Sequence, residues 1–121
     1  MAYQLHANLK SGYVQLTYSG TIDLAERTKA KAGVFATCFE HNLHRALVDL
    51  RSSDIRMSES EIVKFASSFK DKKQPEGYRL AAVIPPENQT ENLVEIIISI
   101  DGIDVKYFYD FDEAIIWLTA I

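Results

Sequence analysis

The sequence is low in cysteine, proline and glycine and has no long hydrophobic run. It has one cysteine, three prolines and five glycines in 121 residues, which excludes an intramolecular disulfide framework and disfavours a low-complexity chain. It has 13 basic and 17 acidic residues. We expect no nucleic acid partner, because phosphate contacts need clustered cations. The longest apolar stretch, from Leu93 to Ile100, is interrupted by Glu95 and is too short for membrane insertion.

The composition that is present is that of a folded domain. Hydrophobic residues make up 47% of the chain and charged residues 25%. A chain of this length can bury a hydrophobic core without disulfide bonds. We therefore expect one domain over residues 1–121. The start of the chain lacks the basic and apolar segments of a secretory signal, which predicts a cytoplasmic protein.

Two patterns predict strands. Alternation of apolar and polar residues over 3–10, a Ser11-Gly12 turn and a second alternating run over 13–19, closed by Gly20, predict a hairpin. The short apolar runs 46–50 and 80–84 predict interior strands covered on both faces. A last strand is expected over residues 104–109.

Four helices are expected between and after these strands. The first spans roughly 22–41, with Asp23 and Glu26 as a capping box and Asn42 as its stop. Its expected core-facing residues are Ala25, Thr28, Ala32, Phe35, Cys38 and Phe39. The capping pairs expected for the other helices are Ser58 with Glu61, Asn88 with Glu91, and Asp110 with Glu113.

Helices that alternate with interior strands require right-handed crossovers and a parallel core sheet. The predicted fold class is therefore α/β. We expect a mixed sheet of about five strands with an N-terminal antiparallel hairpin, a parallel core and about four helices.

Two segments give the chain a family likeness. The central strand reads Leu47-Val48-Asp49-Leu50-Arg51, and the chain closes on Phe108-Tyr109-Asp110-Phe111-Asp112-Glu113-Ala114-Ile115-Ile116-Trp117-Leu118. With this element order, the chain resembles the STAS domain over essentially its whole length. The closing segment is similar to the SpoIIAA-like, or STAS/SEC14-type, branch of small bacterial proteins.

The resemblance implies a STAS-like (SpoIIAA-like) fold and a binding or regulatory role. STAS domains include anti-sigma-factor antagonists, which are switched by phosphorylation of a serine at the start of the helix after the central strand, and cytoplasmic modules of anion transporters. The SEC14-like label implies capture of an apolar, lipid-like ligand. The Asp-Ser-Ser-Gly motif of the antagonists is not matched, since residues 51–58 read Arg-Ser-Ser-Asp-Ile-Arg-Met-Ser.

Ser58 nevertheless holds the position at the start of a helix. A hydroxyl there caps the helix, and a phosphate there would also be favoured by the helix dipole. We take Ser58, Ser52 and Ser53 as candidate phosphoacceptors or loop contacts, with Arg51 and Arg56 as candidate phosphate or anion partners.

The third helix has more apolar surface than packing on a sheet requires. Apolar residues cover about 200° of its circumference, against a stripe of a little over 100° in a typical amphipathic helix. The surplus, centred on Val94 and Ile98, must be covered by the last helix, a second subunit or an apolar ligand. The candidate interface or apolar pocket consists of Val94, Ile97, Ile98, Tyr107 and Tyr109.

No motif points to catalysis or to a cofactor. Cys38, His41 and His44 are spaced C-x-x-H-x-x-H, but His44 falls beyond the expected helix end and no fourth ligand is near, so no metal site is expected. Asp49 is expected to form a structural ion pair with Arg51, because a lone carboxylate without a nucleophile or histidine is no acid–base site.

The expected function is thus a non-enzymatic binding or regulatory module that acts through contacts with a protein partner or with itself as a homodimer. The alternative is a carrier or sensor of a small apolar ligand held between the helices and the sheet.

Overall fold

The computed structural model describes residues 3–71, 74–88 and 91–120. The strands are β1 (Tyr3–Asn8), β2 (Tyr13–Ile22), β3 (Arg45–Ile55), β4 (Arg79–Val83) and β5 (Asp104–Phe108). The helices are α1 (Leu24–His41), α2 (Glu59–Ser67), α3 (Asn92–Ile100) and α4 (Phe111–Thr119), and a 3₁₀ turn (Ser68–Asp71) continues α2.

The sheet follows the order of the chain, β1-β2-β3-β4-β5. β1 pairs antiparallel with β2, and the remaining neighbours are parallel. Helices α1, α2 and α3 contribute to the core on one face, whereas α4 packs on the other. The predicted fold class is therefore confirmed. No helix among the described residues combines the length and the apolar character needed to cross a bilayer.

The hairpin turns where the sequence predicts it. Asn8 accepts the Ser11 N–H on its side-chain oxygen at 3.0 Å, and the Gly12 N–H donates to the Asn8 carbonyl at 2.8 Å. Gly12 has φ +81°, a left-handed conformation that a residue with a Cβ adopts at a cost. The turn fixes the register that places Leu5 against Leu16.

Two strands are longer than expected. β2 does not close at Gly20 but continues to Ile22 after an irregularity between Thr17 and Ser19. β3 does not end at Leu50 but continues to Ile55, pairing with the end of β2. A two-stranded ribbon therefore extends past the end of the pairing between β3 and β4, because β4 pairs with β3 only as far as Asp49.

Helix α1 has the predicted cap residue and stop, but it begins at Leu24 rather than at Ile22, which ends β2, and it buries a different face. Asp23 caps it by accepting the Glu26 N–H at 2.9 Å, and Asn42 ends it in the left-handed conformation with φ 56°. Its buried residues are Arg27, Ala30, Lys31, Val34, Phe35 and Cys38. Four of the expected core residues are exposed instead: Ala25, Thr28, Ala32 and Phe39. The expectation was wrong because two charged residues occupy the true core-facing stripe.

The expected caps of α2 and α4 are present, but that of α3 is not. Ser58 and Glu61 form the reciprocal capping box of α2, and the Asp110 carboxylate accepts two N–H groups at the start of α4. Helix α3 begins instead after Glu91, which makes no side-chain cap. The expected pair of Asn88 and Glu91 is therefore wrong, and the Glu91 side chain has a different role, described below.

Candidate functional site

The first candidate group lies at the carboxyl end of β3. Asp49 accepts the backbone N–H of Arg51 at 3.1 Å, its Nε at 3.0 Å and its Nη2 at 2.9 Å. Burial alone would raise the pKa of Asp49, but the hydrogen bonds and charge of Arg51 outweigh it and lower that pKa. The arginine carbon Cζ also lies 5.0 Å from the ring centre of Phe111. The predicted structural ion pair is confirmed.

The candidate serines 52 and 53 do not lie in a loop. Both belong to the extension of β3, where they pair with Ser19 and Gly20 of β2. Ser52 is exposed, whereas the Ser53 hydroxyl donates to the Leu50 carbonyl at 2.7 Å. The expectation that Ser52 and Ser53 lie in a loop was wrong, because strand pairing continues to Ile55.

Ser58 is engaged as a helix cap. Its hydroxyl accepts the Glu61 N–H at 3.2 Å, the Glu61 carboxylate accepts the Ser58 N–H at 2.9 Å, and the hydroxyls of Ser58 and Ser60 lie 3.2 Å apart. The two candidate anion partners also hold carboxylates: Arg51 binds Asp49, and Arg56 binds Asp54 at 2.8 Å. An anion at Ser58 would therefore compete with existing pairs.

The candidate apolar group of α3 divides into separate environments. Val94 and Ile98, expected to be surplus surface, are fully buried in the core formed by α1, α2, α3 and the sheet. Helix α4 does not cover them, because it packs on the opposite face of the sheet. Ile97 is half-buried at the margin of the same core. Tyr109 is exposed and lies beside Arg51 at the carboxyl end of the sheet.

Val94 and Ile98, with Tyr107, line a cavity inside the fold. The other lining residues are Leu16, Tyr18, Arg27, Lys31, Val34, Val48, Phe65, Phe69, Tyr78, Leu80 and Ala82. The cavity volume is about 30 Å³, close to the share of one water molecule in the liquid. A ligand of lipid size would need the helices to move apart.

A buried ion pair lies at the polar end of this cavity. Arg27 donates from Nη1 to Glu91 Oε2 at 2.7 Å and from Nη2 to Oε1 at 2.5 Å. Both side chains are almost inaccessible, at 3% and 0% exposure. The Tyr107 hydroxyl donates to Glu91 Oε1 at 3.3 Å. The pair joins α1 to the residue just before α3.

The guanidinium group of Arg27 is enclosed on its other sides. Its carbon Cζ lies 4.5 Å from the ring centre of Phe65, and Nη1 lies 3.9 Å from the sulfur of Met57. Burial raises the pKa of the Tyr18 phenol, and the neighbouring charge of Arg27 partly offsets that rise. Burial, reinforced by the charge of Glu91, also raises the pKa of Tyr107. Both phenols therefore stay protonated and are available as neutral hydrogen-bonding groups.

Lys31 lies one turn along α1 from Arg27 and lines the same cavity. Its Nζ donates to the Ser68 hydroxyl at 2.5 Å and lies 4.9 Å from the ring centre of Phe69. Two cationic side chains thus project from one helix face into a largely apolar interior.

The sequence interpretation missed this group entirely. Arg27 and Lys31 are spaced four residues apart within the stripe Ala30, Val34, Cys38, which an apolar-only search excludes. Glu91 was assigned to a cap because its spacing from Asn88 fits one. The sequence does contain part of the signal. Two cationic residues four positions apart inside an apolar stripe are unusual unless they contact a buried anion.

Exposed apolar side chains remain on α3 after the core is built. Ile96 is 51% exposed and Ile100 is 77% exposed, and both belong to one face because they are four residues apart. Val63 of the neighbouring helix α2 is 40% exposed. The apolar surplus of α3 is thus real, but it lies at Ile96 and Ile100 rather than at Val94 and Ile98.

Within the part of the chain that the structure describes, the reactive residue types do not form a catalytic or metal centre. Burial raises the pKa of the Cys38 thiol to about 11, so the thiol stays protonated at neutral pH and is a poor nucleophile or metal ligand. Within the described ranges, no group of three or more histidine, cysteine, aspartate or glutamate residues is placed to hold a metal ion.

This sheet order, with three helices on one face and one on the other, defines a SpoIIAA-like, or STAS-like, fold. The chain is similar to the anti-sigma factor antagonist SpoIIAA in its unphosphorylated form, with a TM-score of 0.65, 15% identity, and coverage of 99% of this chain and 100% of that one. It is also similar to an uncharacterised DUF3478-family protein with a SpoIIAA-like fold from Shewanella loihica PV-4. Here the TM-score is 0.58 and the identity 18%, covering 97% of this chain and 92% of that one. No family model and no curated protein sequence matches the chain.

Proposed function

We propose that this protein is a non-catalytic regulatory module that binds a protein partner through the outer surface of α2 and α3. The observation that carries the proposal is the exposed pair Ile96 and Ile100, which the fold leaves uncovered on one face of α3. Neighbouring aliphatic side chains left in water are typical of contact surfaces. The similarity to SpoIIAA, described as an anti-sigma factor antagonist, supports a role exerted on other proteins.

Ser58 supplies the regulatory part of the proposal. It begins α2, which packs beside α3, so a change at Ser58 would act on the same helical layer. A phosphate there adds about 1.5 to 2 negative charges next to Glu59 and Glu61. It would interact favourably with the helix dipole but repel the Glu61 carboxylate that now accepts the Ser58 N–H. Phosphorylation would therefore rearrange the start of α2.

The test compares two surfaces of one protein. A partner is captured by cross-linking, purified, and titrated calorimetrically against wild type, the double variant Ile96→Ser/Ile100→Ser, and the control Ile116→Ser. Ile116 is 70% exposed on α4, on the other face of the sheet. We expect the double variant to weaken binding by about tenfold or more and the control to leave it unchanged. An equal loss of affinity in the double variant and the control, or no loss of affinity in the double variant, would refute the proposed surface.

The regulatory part has its own comparison. Ser58→Asp and Ser58→Asn both keep a helix cap, but only the first adds charge. We expect the partner affinity to change in Ser58→Asp alone. Equal affinities of the two variants would exclude electrostatic switching at Ser58.

The cavity favours a second candidate function, the carriage of a small apolar ligand between the helices and the sheet. Its walls are largely aliphatic and aromatic, as in small-molecule sites, but its volume is about that of one water molecule. Native mass spectrometry with a denatured reference tests this candidate. Added mass that is lost on denaturation would support it, and bare protein after incubation with aliphatic ligands would refute it.

A further inference from the structure

The surroundings of Arg27 have the form of a carboxylate receptor. A guanidinium fork binds a planar carboxylate through two parallel hydrogen bonds, the geometry that Arg27 makes with Glu91. The Tyr107 hydroxyl adds a third donor to Glu91 Oε1, and Phe65 covers one side of the guanidinium. The carboxylate that fills this receptor belongs to the protein itself.

The receptor also opens onto the apolar cavity. Arg27, Tyr18 and Tyr107 form its polar end, and the aliphatic residues Val48 and Val94 are among those that continue it. Lys31, one turn along α1, also lines the cavity, and its ammonium group binds the Ser68 hydroxyl. A guanidinium fork beside a largely apolar wall suits a molecule with a carboxylate and a short aliphatic chain.

The receptor lies between the helical layer and one face of the sheet. Arg27 lies near the start of α1, directly after β2, and Glu91 precedes α3, which follows β4. The walls of the adjoining cavity include the strand residues Tyr18, Leu80 and Ala82, so the fold encloses this site.

We propose that the pocket around Arg27 is a binding site for a short aliphatic carboxylate, and that Glu91 occupies it as an internal competitor. This proposal deepens the ligand-binding alternative above and is independent of the protein-binding surface on α3.

The size of the ligand follows from the space that it would take. The Glu91 side chain is itself a propanoate unit, and the adjoining cavity of about 30 Å³ adds room comparable to one water molecule. Glu91→Ala keeps Cβ and vacates the space of an acetate, so with the adjoining room a carboxylate of about three carbons, or four at most, fits, whereas a long acyl chain does not. An intramolecular carboxylate also has a high effective concentration, so wild type binds such ligands weakly and removal of Glu91 exposes the full affinity.

The experiment is chemical rescue. Glu91→Ala is titrated with sodium acetate, propanoate, butanoate and octanoate at constant ionic strength, with sodium chloride as the reference salt and thermal unfolding as the readout. We expect propanoate and butanoate to raise the Tm by at least about 4 °C at a concentration of about ten times their Kd, with smaller rises for acetate and octanoate. Wild type is expected to need at least tenfold more ligand for the same rise.

Two controls separate carboxylate recognition from other effects. Arg27→Met/Glu91→Ala lacks the guanidinium, so we expect no carboxylate-dependent rise in it, and butan-1-ol supplies the apolar chain without the charge. An equal rise in the double variant, or no rise in Glu91→Ala, would overturn the proposal. Stabilisation by butan-1-ol as strong as by butanoate would also overturn it, while leaving the apolar-ligand alternative standing.

Glu91→Ala could fail to fold on its own because Arg27 would be left buried without its partner. In that case the refolding yield replaces the Tm. Recovery of folded Glu91→Ala in propanoate or butanoate but not in chloride supports the carboxylate site. Failure to recover in every carboxylate overturns it, and neither result affects the binding measurements on Ile96 and Ile100.

Discussion

The buried pair Arg27–Glu91 allows a quantitative test of how the fold is held together. Removal of one member of a buried ion pair leaves the other charged and desolvated, which costs about 3 to 5 kcal/mol. Replacement of both by apolar residues of similar size is neutral or stabilising by up to about 4 kcal/mol. We therefore expect Arg27→Met and Glu91→Leu each to destabilise strongly, and Arg27→Met/Glu91→Leu to recover most or all of the loss.

The burial of the pair supports a loss within that range for each single variant. Exposure of 3% and 0% leaves little route for water to reach the remaining charge. A typical domain has about 5 to 15 kcal/mol of total stability, so either single change removes a large part of it. At about 4 °C per kcal/mol for a domain of this size, the expected decrease in Tm is about 12 to 20 °C.

The assay is urea unfolding followed by circular dichroism for wild type, both single variants and the double variant. The coupling free energy from this cycle is expected to be at least about 3 kcal/mol, with similar m-values for all four proteins. Single losses below about 1 kcal/mol that simply add in the double variant would refute the reasoning, because they would mean that water solvates the pair.

Three further predictions concern other parts of the molecule. Ile98→Ala should cost about 2 to 5 kcal/mol of unfolding free energy because Ile98 is fully buried, whereas Ile100→Ala should change it by less than about 0.5 kcal/mol; urea unfolding measures both, and similar losses would contradict the assignment. The Glu95 carboxylate accepts the Tyr107 N–H at 2.6 Å, so Glu95→Ala should speed hydrogen exchange at that amide, while unchanged exchange would mean that the bond contributes no protection. The pKa of Asp49 lies below its ordinary value of 3.8 in the folded state, so its stabilising effect is present above that pH and is lost as the pH falls through the folded pKa. The Tm advantage of wild type over Asp49→Asn should therefore shrink in acid, and a constant difference from pH 7 to 2 would refute this.

The sequence predicts the fold well because its signals are local. Period-two alternation, the turn at Gly12 and the caps at Asp23, Ser58 and Asp110 each depend on residues within a few positions of one another. These signals determine where elements begin, and their alternation determines the parallel sheet. The ends of β2 and β3 were missed because their extensions pair with each other mainly through polar residues that carry no alternation signal, with Ile22 and Ile55 as an apolar pair at the end.

The candidate site was much less predictable because it depends on distant contacts. Arg27 and Glu91 are 64 positions apart, and only the folded chain shows that each neutralises the other. From the sequence alone, Arg27 indicates that its face of α1 is exposed, and the spacing of Glu91 from Asn88 indicates a helix cap. The same limit explains the apolar excess of α3: its amount is visible in the sequence, but the choice of Val94 and Ile98 as core residues is made by α2 and the sheet.

The order of the sheet also has a consequence for how the chain assembles during synthesis. Each strand pairs with the one made just before it, so the sheet can grow from its amino end without waiting for distant segments. Its back face, which carries Leu47, Ala81 and Val83, is covered by α4, which follows β5 in the chain. At translation rates of about 5 to 20 residues per second, roughly one second separates the end of β5 from the end of α4. Until α4 is complete, the nascent domain presents an apolar sheet surface that chaperones can bind and that can aggregate.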